Sequence, residues 1–152
     1  MKTYLILLLS IVTLSCSAQR GFKNITERDG KIGIGTNMPD ELLTVKGKIH
    51  TQEVIVDLNG AVAPDYVFER YYTGKSSTNA EYRLLSLKEV EQFIQKNNHL
   101  PDIPSAEKIN QNGLSLKEMN LLLLRKIEEL TLYTLEQQKE IDALKKMINK
   151  NQ

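Results

Sequence analysis

The sequence predicts an α+β, elongated fold: short Gly-rich β repeats in front, a small α/β collar in the middle, and a long C-terminal coiled-coil helix. Three observations carry this expectation. Apolar residues recur in alternating steps of four and three from Leu116 to Ile148, and no Gly or Pro follows Gly113. Ahead of Ala63, Gly alternates with β-branched residues in runs too short for helices. Between these regions lie a group of aromatics and two amphipathic runs punctuated by Pro101, Pro104 and Gly113.

Residues 1–18 read as a secretory signal peptide: Lys2 precedes an apolar run from Tyr4 to Leu14, followed by small residues. The run is much shorter than the roughly 20 residues that span a bilayer as a helix, so no transmembrane helix is expected in the mature chain. Cys16 and Ala18 supply small side chains at the −3 and −1 positions, which places cleavage between Ala18 and Gln19. The rival reading makes Cys16 the lipidated residue of an outer-membrane lipoprotein, although position 13 is Thr where such signals usually carry Leu. Either way the chain is exported to the cell surface or beyond, and its one cysteine leaves no intramolecular disulfide to form.

Removing Lys2 from the 20 Lys+Arg leaves 19, against 19 Asp+Glu. A formal charge of zero gives no electrostatic reason to expect nucleic acid as partner.

In the segment 19–63, strand candidates lie in Lys31-Ile32-Gly33-Ile34, Leu42-Leu43-Thr44-Val45 with Lys48-Ile49, and Val54-Ile55-Val56. Turn chemistry at Asp29-Gly30, Asn37-Met38-Pro39-Asp40, Lys46-Gly47 and Asn59-Gly60 separates them. Strands this short bury little in one copy and gain by pairing with copies of themselves.

The collar, 64–115, carries Tyr66, Phe68, Tyr71, Tyr72 and Tyr82, and a polar loop at 74–79. Ser86 and Glu89 stand at capping-box spacing ahead of Leu87, Val90, Phe93 and Ile94, predicting a helix over about 87–98. Ser105 and Gly113 bracket a second, shorter one. Tyr66, Phe68 and Phe93 are expected to form a small core.

A further capping box, Ser115 to Glu118, opens the coiled coil at 116–150. Its a positions are Asn120, Ile127, Thr134, Ile141 and Ile148, and its d positions Leu116, Leu123, Leu130, Gln137 and Leu144. These ten are the candidate oligomerisation residues. An apolar seam about 50 Å long, at 1.5 Å per residue, is normally covered by a partner helix in register. Ile at a with Leu at d favours two strands, but the polar layers Asn120, Thr134 and Gln137 blur that rule, so the heptads leave dimer and trimer open. Met119 and Leu121 to Leu124 are apolar nearly all round, so more than one face is expected to be buried there, the second against the 87–98 helix.

Candidate chemistry is sparse. Gly74-Lys75-Ser76 lacks the earlier Gly of a phosphate loop, since position 69 is Glu, and Gly33-Ile34-Gly35 opens no helix. His50 and His99 have no Cys or second His at metal-ligand spacing; His99 suits the end of a helix. No catalytic residue, metal or cofactor is expected. A DNA-binding zipper is disfavoured because residues 105–119 hold two Lys and no Arg, with Gly113 breaking the helix.

Gly30-Lys31-Ile32-Gly33-Ile34-Gly35-Thr36-Asn37 through Val45-Lys46-Gly47-Lys48-Ile49 resembles the repeats of phage-tail-fibre-like and bacterial surface proteins. Pro64-Asp65-Tyr66-Val67-Phe68, Leu87-x-x-Val90-x-x-Phe93-Ile94, His99-Leu100-Pro101-Asp102-Ile103-Pro104-Ser105-Ala106 and Glu118-Met119-Asn120 through Tyr133 resemble the C-terminal region of secreted tail-fibre-domain proteins. That family is distantly similar to endosialidase-type intramolecular chaperones, whose C-terminal helical domain trimerises fibres and, in active members, cuts itself off with a Ser-Asp dyad. The resemblance implies a homotrimer. No Ser-Asp pair occurs in this sequence, so the expectation is a non-enzymatic, exported structural protein that assembles through its C-terminal helix. Two alternatives are an autoproteolytic domain using a serine such as Ser105 near Asp102, and a surface adhesin or glycan-binding module.

Overall fold

The computed structural model describes residues 24–150. The expected cleavage positions Ala18 and Gln19 and the alternative lipidation residue Cys16 lie outside that range. Among the described residues the chain is mixed α+β, a three-stranded sheet and four helices, and it divides into two compact units after Val54.

In the first unit, β1 (Ile25–Arg28) pairs antiparallel with β2 (Lys31–Ile34) across the Asp29-Gly30 turn, and β2 pairs parallel with β3 (Leu43–Val45). The register aligns Ile25, Ile34 and Val45 in one row and Glu27, Ile32 and Leu43 in the next, so all five aliphatics share one face. The other face holds Thr26, Gly33 and Thr44, and the 35–42 connection folds over it. Thr44 Oγ1 donates to Asp40 Oδ1 at 2.6 Å, and Thr26 Oγ1 lies 3.3 Å from Asn37 Oδ1. A Cβ on Gly33 would be driven into the Thr36 carbonyl oxygen, and Gly35 sits at φ +73° against the Lys46 carbonyl. The Gly-x-Gly spacing is thus what lets the connection lie flat. The small-residue face is covered, whereas Ile25, Ile32, Ile34 and Leu43 are left exposed.

The strand expected at 54–56 does not form. Residues 49–58 run without regular structure, and Val54, Ile55 and Val56 are exposed. β-branched residues favour extended backbone, but a strand needs a partner edge, and none of the described residues pairs with this segment. His50 accordingly lies in a loop and not in a strand.

In the second unit, α1 (Tyr66–Thr73), α2 (Leu87–Asn97) and α3 (Ala106–Asn112) accompany the long α4 (Leu116–Lys150). α1, which the sequence reading missed, lies against α4. Its buried Tyr66 and Val67 join Tyr82 and Leu132 in the core, with Phe68, Tyr71 and Leu84 packed around them. Phe93 is not part of this core; it meets His99 edge-on at 5.4 Å between ring centroids. The 74–79 loop is tied back onto α1, since Ser76 Oγ and the Ser77 amide both donate to the Glu69 carboxylate.

α2 begins with a complete capping box, Ser86 with Glu89. Arg83 adds a bidentate ion pair to the same carboxylate, at 3.1 and 3.0 Å. Arg83 first, then the Ser86 amide and hydroxyl, hold the Glu89 carboxyl at about 2. A carboxylate depressed in the folded state contributes stability present above its ordinary value of 4.5 and lost as pH falls towards 2. Acid unfolding of Glu89→Gln is therefore expected to show a flatter pH dependence than the parent over that window, read by circular dichroism. Asn98 at φ 58°, not His99, caps the end of α2; its amide donates to Ile94 O, while His99 Nδ1 lies 3.0 Å from Leu100 O.

Candidate assembly surface

α4 starts where Ser115 Oγ accepts the Glu118 amide hydrogen, at 3.3 Å, and no Gly or Pro interrupts it thereafter. Read on the heptad, its faces separate cleanly. The b, c and f positions Leu121, Leu122, Arg125, Glu128, Glu129 and Leu132 point into the chain's own interior. Leu132 is 0% exposed, and Glu128 and Glu129 are buried at 6% and 9%. The opposite face carries the seam. Leu116, Leu123, Ile127, Leu130, Ile141, Leu144 and Ile148 are all 45–63% exposed, and the polar a and d residues Asn120, Thr134 and Gln137 are exposed with them. All ten predicted oligomerisation residues thus share one uncovered stripe. Thr134 Oγ1 donates to Leu130 O at 2.9 Å, which leaves its methyl as the group the seam presents.

The first turns of α4 do not pack against α2, as the sequence suggested. They border Pro104, Ile109 and Leu114 around α3 on one side and Val62, Pro64 and Tyr66 on the other. α2 sits further along, beside Lys126 to Tyr133. The cause is polar: Tyr133 donates its hydroxyl to Leu85 O at 2.6 Å, and Asp102 reaches Arg125 Nη2 at 3.1 Å and Lys126 Nζ at 3.5 Å. These ties fix the two ends of the α2 segment two turns up the helix.

The same basic residues serve the core. Lys126 Nζ donates to Glu129 Oε2 at 2.8 Å, and Tyr82 donates its hydroxyl to Glu129 Oε1 at 3.3 Å. Burial, then the Glu129 charge, pushes both tyrosines up, Tyr133 to about 12. Burial, reinforced by Asp65, also raises the Glu128 carboxyl, whose Oε2 has no hydrogen-bond partner. The i, i+3 and i, i+4 spacings of Lys126 and Arg125 to Glu129 were legible in the sequence. Their long-range partners Tyr82 and Asp102 were not, because no periodicity links them to α4.

Ser105 Oγ accepts the Lys108 amide hydrogen as the cap of α3, so it is engaged by backbone, as Asp102 is by Arg125 and Lys126. Among the described residues there is no cluster of three His, Cys, Asp or Glu that could hold a metal, and no helix is long and apolar enough to cross a membrane. Comparison of the chain with protein-family models, curated proteins and solved structures gave no match.

Proposed function

We propose that this chain is a non-enzymatic, exported structural protein that assembles with copies of itself through the α4 seam, as part of a fibre-like or cell-surface structure. The observation that carries the reading is the division of α4: one face holds the chain's own core, while the a/d stripe of seven aliphatics faces out. Each Ile or Leu removed from water contributes roughly 1.5–3 kcal/mol, so a partner helix on that stripe is strongly favoured. The sheet unit has the same property, since its aliphatic face is the one its own connection leaves open. That favours self-assembly over a single foreign partner, because both units carry apolar surface that like copies can cover. Three chains are preferred on the family resemblance, with the front segment as Gly-rich fibre-type β repeats in an elongated assembly. The 1–18 leader supports export, with lipid attachment at Cys16 as the alternative route to the surface. The capping roles of Ser105 and the ion pairs of Asp102 count against self-cleavage.

Light scattering on the chain from Gln19 onward tests the proposal. Three chain masses are expected. The Ile127→Asp/Leu130→Asp variant is expected to be a monomer that still unfolds cooperatively, since neither residue belongs to the Tyr66, Val67, Tyr82 and Leu132 core. A monomeric parent chain, or a variant that remains oligomeric, would overturn it.

A further inference from the structure

Among the described residues the polar ties between the α2 segment and α4 lie at its flanks, Tyr133 to Leu85 before it and Arg125 and Lys126 to Asp102 after it. Between those ties it does not close on the long helix. A pocket of about 230 Å³ remains, walled by Leu85, Leu87, Val90, Leu100 and Pro101 from the collar and by Leu130 from α4. An apolar cavity of about 150 Å³ already admits benzene, so there is room here for an aliphatic side chain with space over. Leu87 and Leu100 are 48% and 43% exposed at its rim, and walls without packing partners forgo their dispersion contacts.

Two features say what covers it. Leu130 is both a wall of the pocket and a d residue of the seam. Lys126 and Tyr133, one heptad apart at g, also line the pocket, which places it along the g edge of α4. A parallel helix laid on the a/d seam is flanked by e and g, so the helix that covers Leu130 also passes over the pocket's mouth. At that level it presents Ile127 and Thr131, and Thr131 Oγ1 already donates to Ile127 O at 2.8 Å, leaving its methyl outward. The Lys126 ammonium is answered by Glu129 and Asp102, so the floor opposes an apolar insert with no unpaired charge.

We infer that the pocket between α2 and α4 receives Ile127 and Thr131 from the α4 of a neighbouring copy, so that each collar grips the next chain beside the seam. This rests on the assembly proposed above and adds parallel orientation and a second contact to it.

The test is a Leu87→Cys/Thr131→Cys variant of the chain from Gln19, which lacks Cys16 and so has no other thiol. Within one chain the two sites lie on opposite edges of the seam, so the short Cα separation a disulfide needs is met only between copies. Mild oxidation is expected to close a covalent ring with as many chains as light scattering counts, while each single variant stays uncrosslinked. A parent chain that is oligomeric, with both thiols of the double variant still free, would sink the collar contact and leave the seam standing. A monomeric parent would remove both. An intact oligomer carrying one small apolar molecule per chain in native mass spectrometry, without crosslinking, would assign the pocket to a ligand and also overturn the inference. Val90→Asp, which keeps the Leu87 wall, is expected to raise the concentration of half-dissociation at least about tenfold by setting a carboxylate against an apolar insert. An unchanged midpoint would contradict the contact.

Discussion

Replacing Leu132 with alanine is expected to lower the unfolding free energy by about 2–5 kcal/mol, the range for a fully buried Leu whose cavity cannot collapse. Leu132 is wholly inaccessible and belongs to one cluster with Tyr66, Val67 and Tyr82. The Tyr66 and Tyr82 rings, 5.1 Å apart and tilted by 59°, brace each other, so they are poorly placed to fill the gap. Urea titration checks it, carried out in the Ile127→Asp/Leu130→Asp background so that assembly does not mask the loss. A change under 1 kcal/mol would mean that α1 and α4 are not held together by this cluster.

Glu129→Leu is expected to cost about 3 kcal/mol or more, the scale for breaking a buried ion pair from one side. The substitution removes the acceptor of the Tyr82 hydroxyl and the anion 2.8 Å from Lys126 Nζ, and both cations are largely shielded, each 14% exposed at the side chain. Asp102 still faces Lys126 at 3.5 Å, which limits the loss. The companion Lys126→Leu/Glu129→Leu should recover much of it, because two apolar residues of similar size remove both charges of the pair while Arg125 keeps Asp102. If the double variant is as unstable as the single one, the damage lies with Tyr82 and not with the ion pair. Thermal unfolding followed at 222 nm separates the two cases.

What the residues disclosed, and what they withheld, follows from the range of the forces involved. Helices α2 and α4 announced themselves through local signals: capping serines at 86 and 115, Glu three residues on, and apolar side chains at helical spacing. β2 and β3 were legible because Gly and Ile alternate and turns flank them. α1 was not: Tyr66, Phe68, Tyr71 and Tyr72 favour extended backbone by propensity, and the burial of Tyr66 and Val67 beside Leu132 is a long-range contact that no local pattern carries. The core expected at Phe93 does not form around that ring, which meets His99 just past the Asn98 cap and stands outside the Leu132 cluster. The seam was visible in full as a periodicity. Its counterpart, the b/c/f face with Arg125, Glu128 and Glu129, was hidden because charged residues on a helix ordinarily mean a solvated side.

Beyond Tyr133 every residue of α4 to Lys150 is exposed; Glu136 borders Arg83 and Ser86, Lys139 Nζ lies 5.9 Å from the centroid of the Tyr71 ring, and the turns after it are the least covered. Most helical stability in proteins comes from packing an apolar face rather than from propensity. Under the assembly proposed above the last four turns act as a gauge: in a solitary chain their amides should exchange within seconds, and they should become slow only when other copies cover them. Hydrogen exchange at 140–150 would then report whether the proposed assembly has formed, while exchange around Leu132 reports whether each chain has folded. In the proposed assembly, folding and association would be written on two stretches of one helix and could be timed separately.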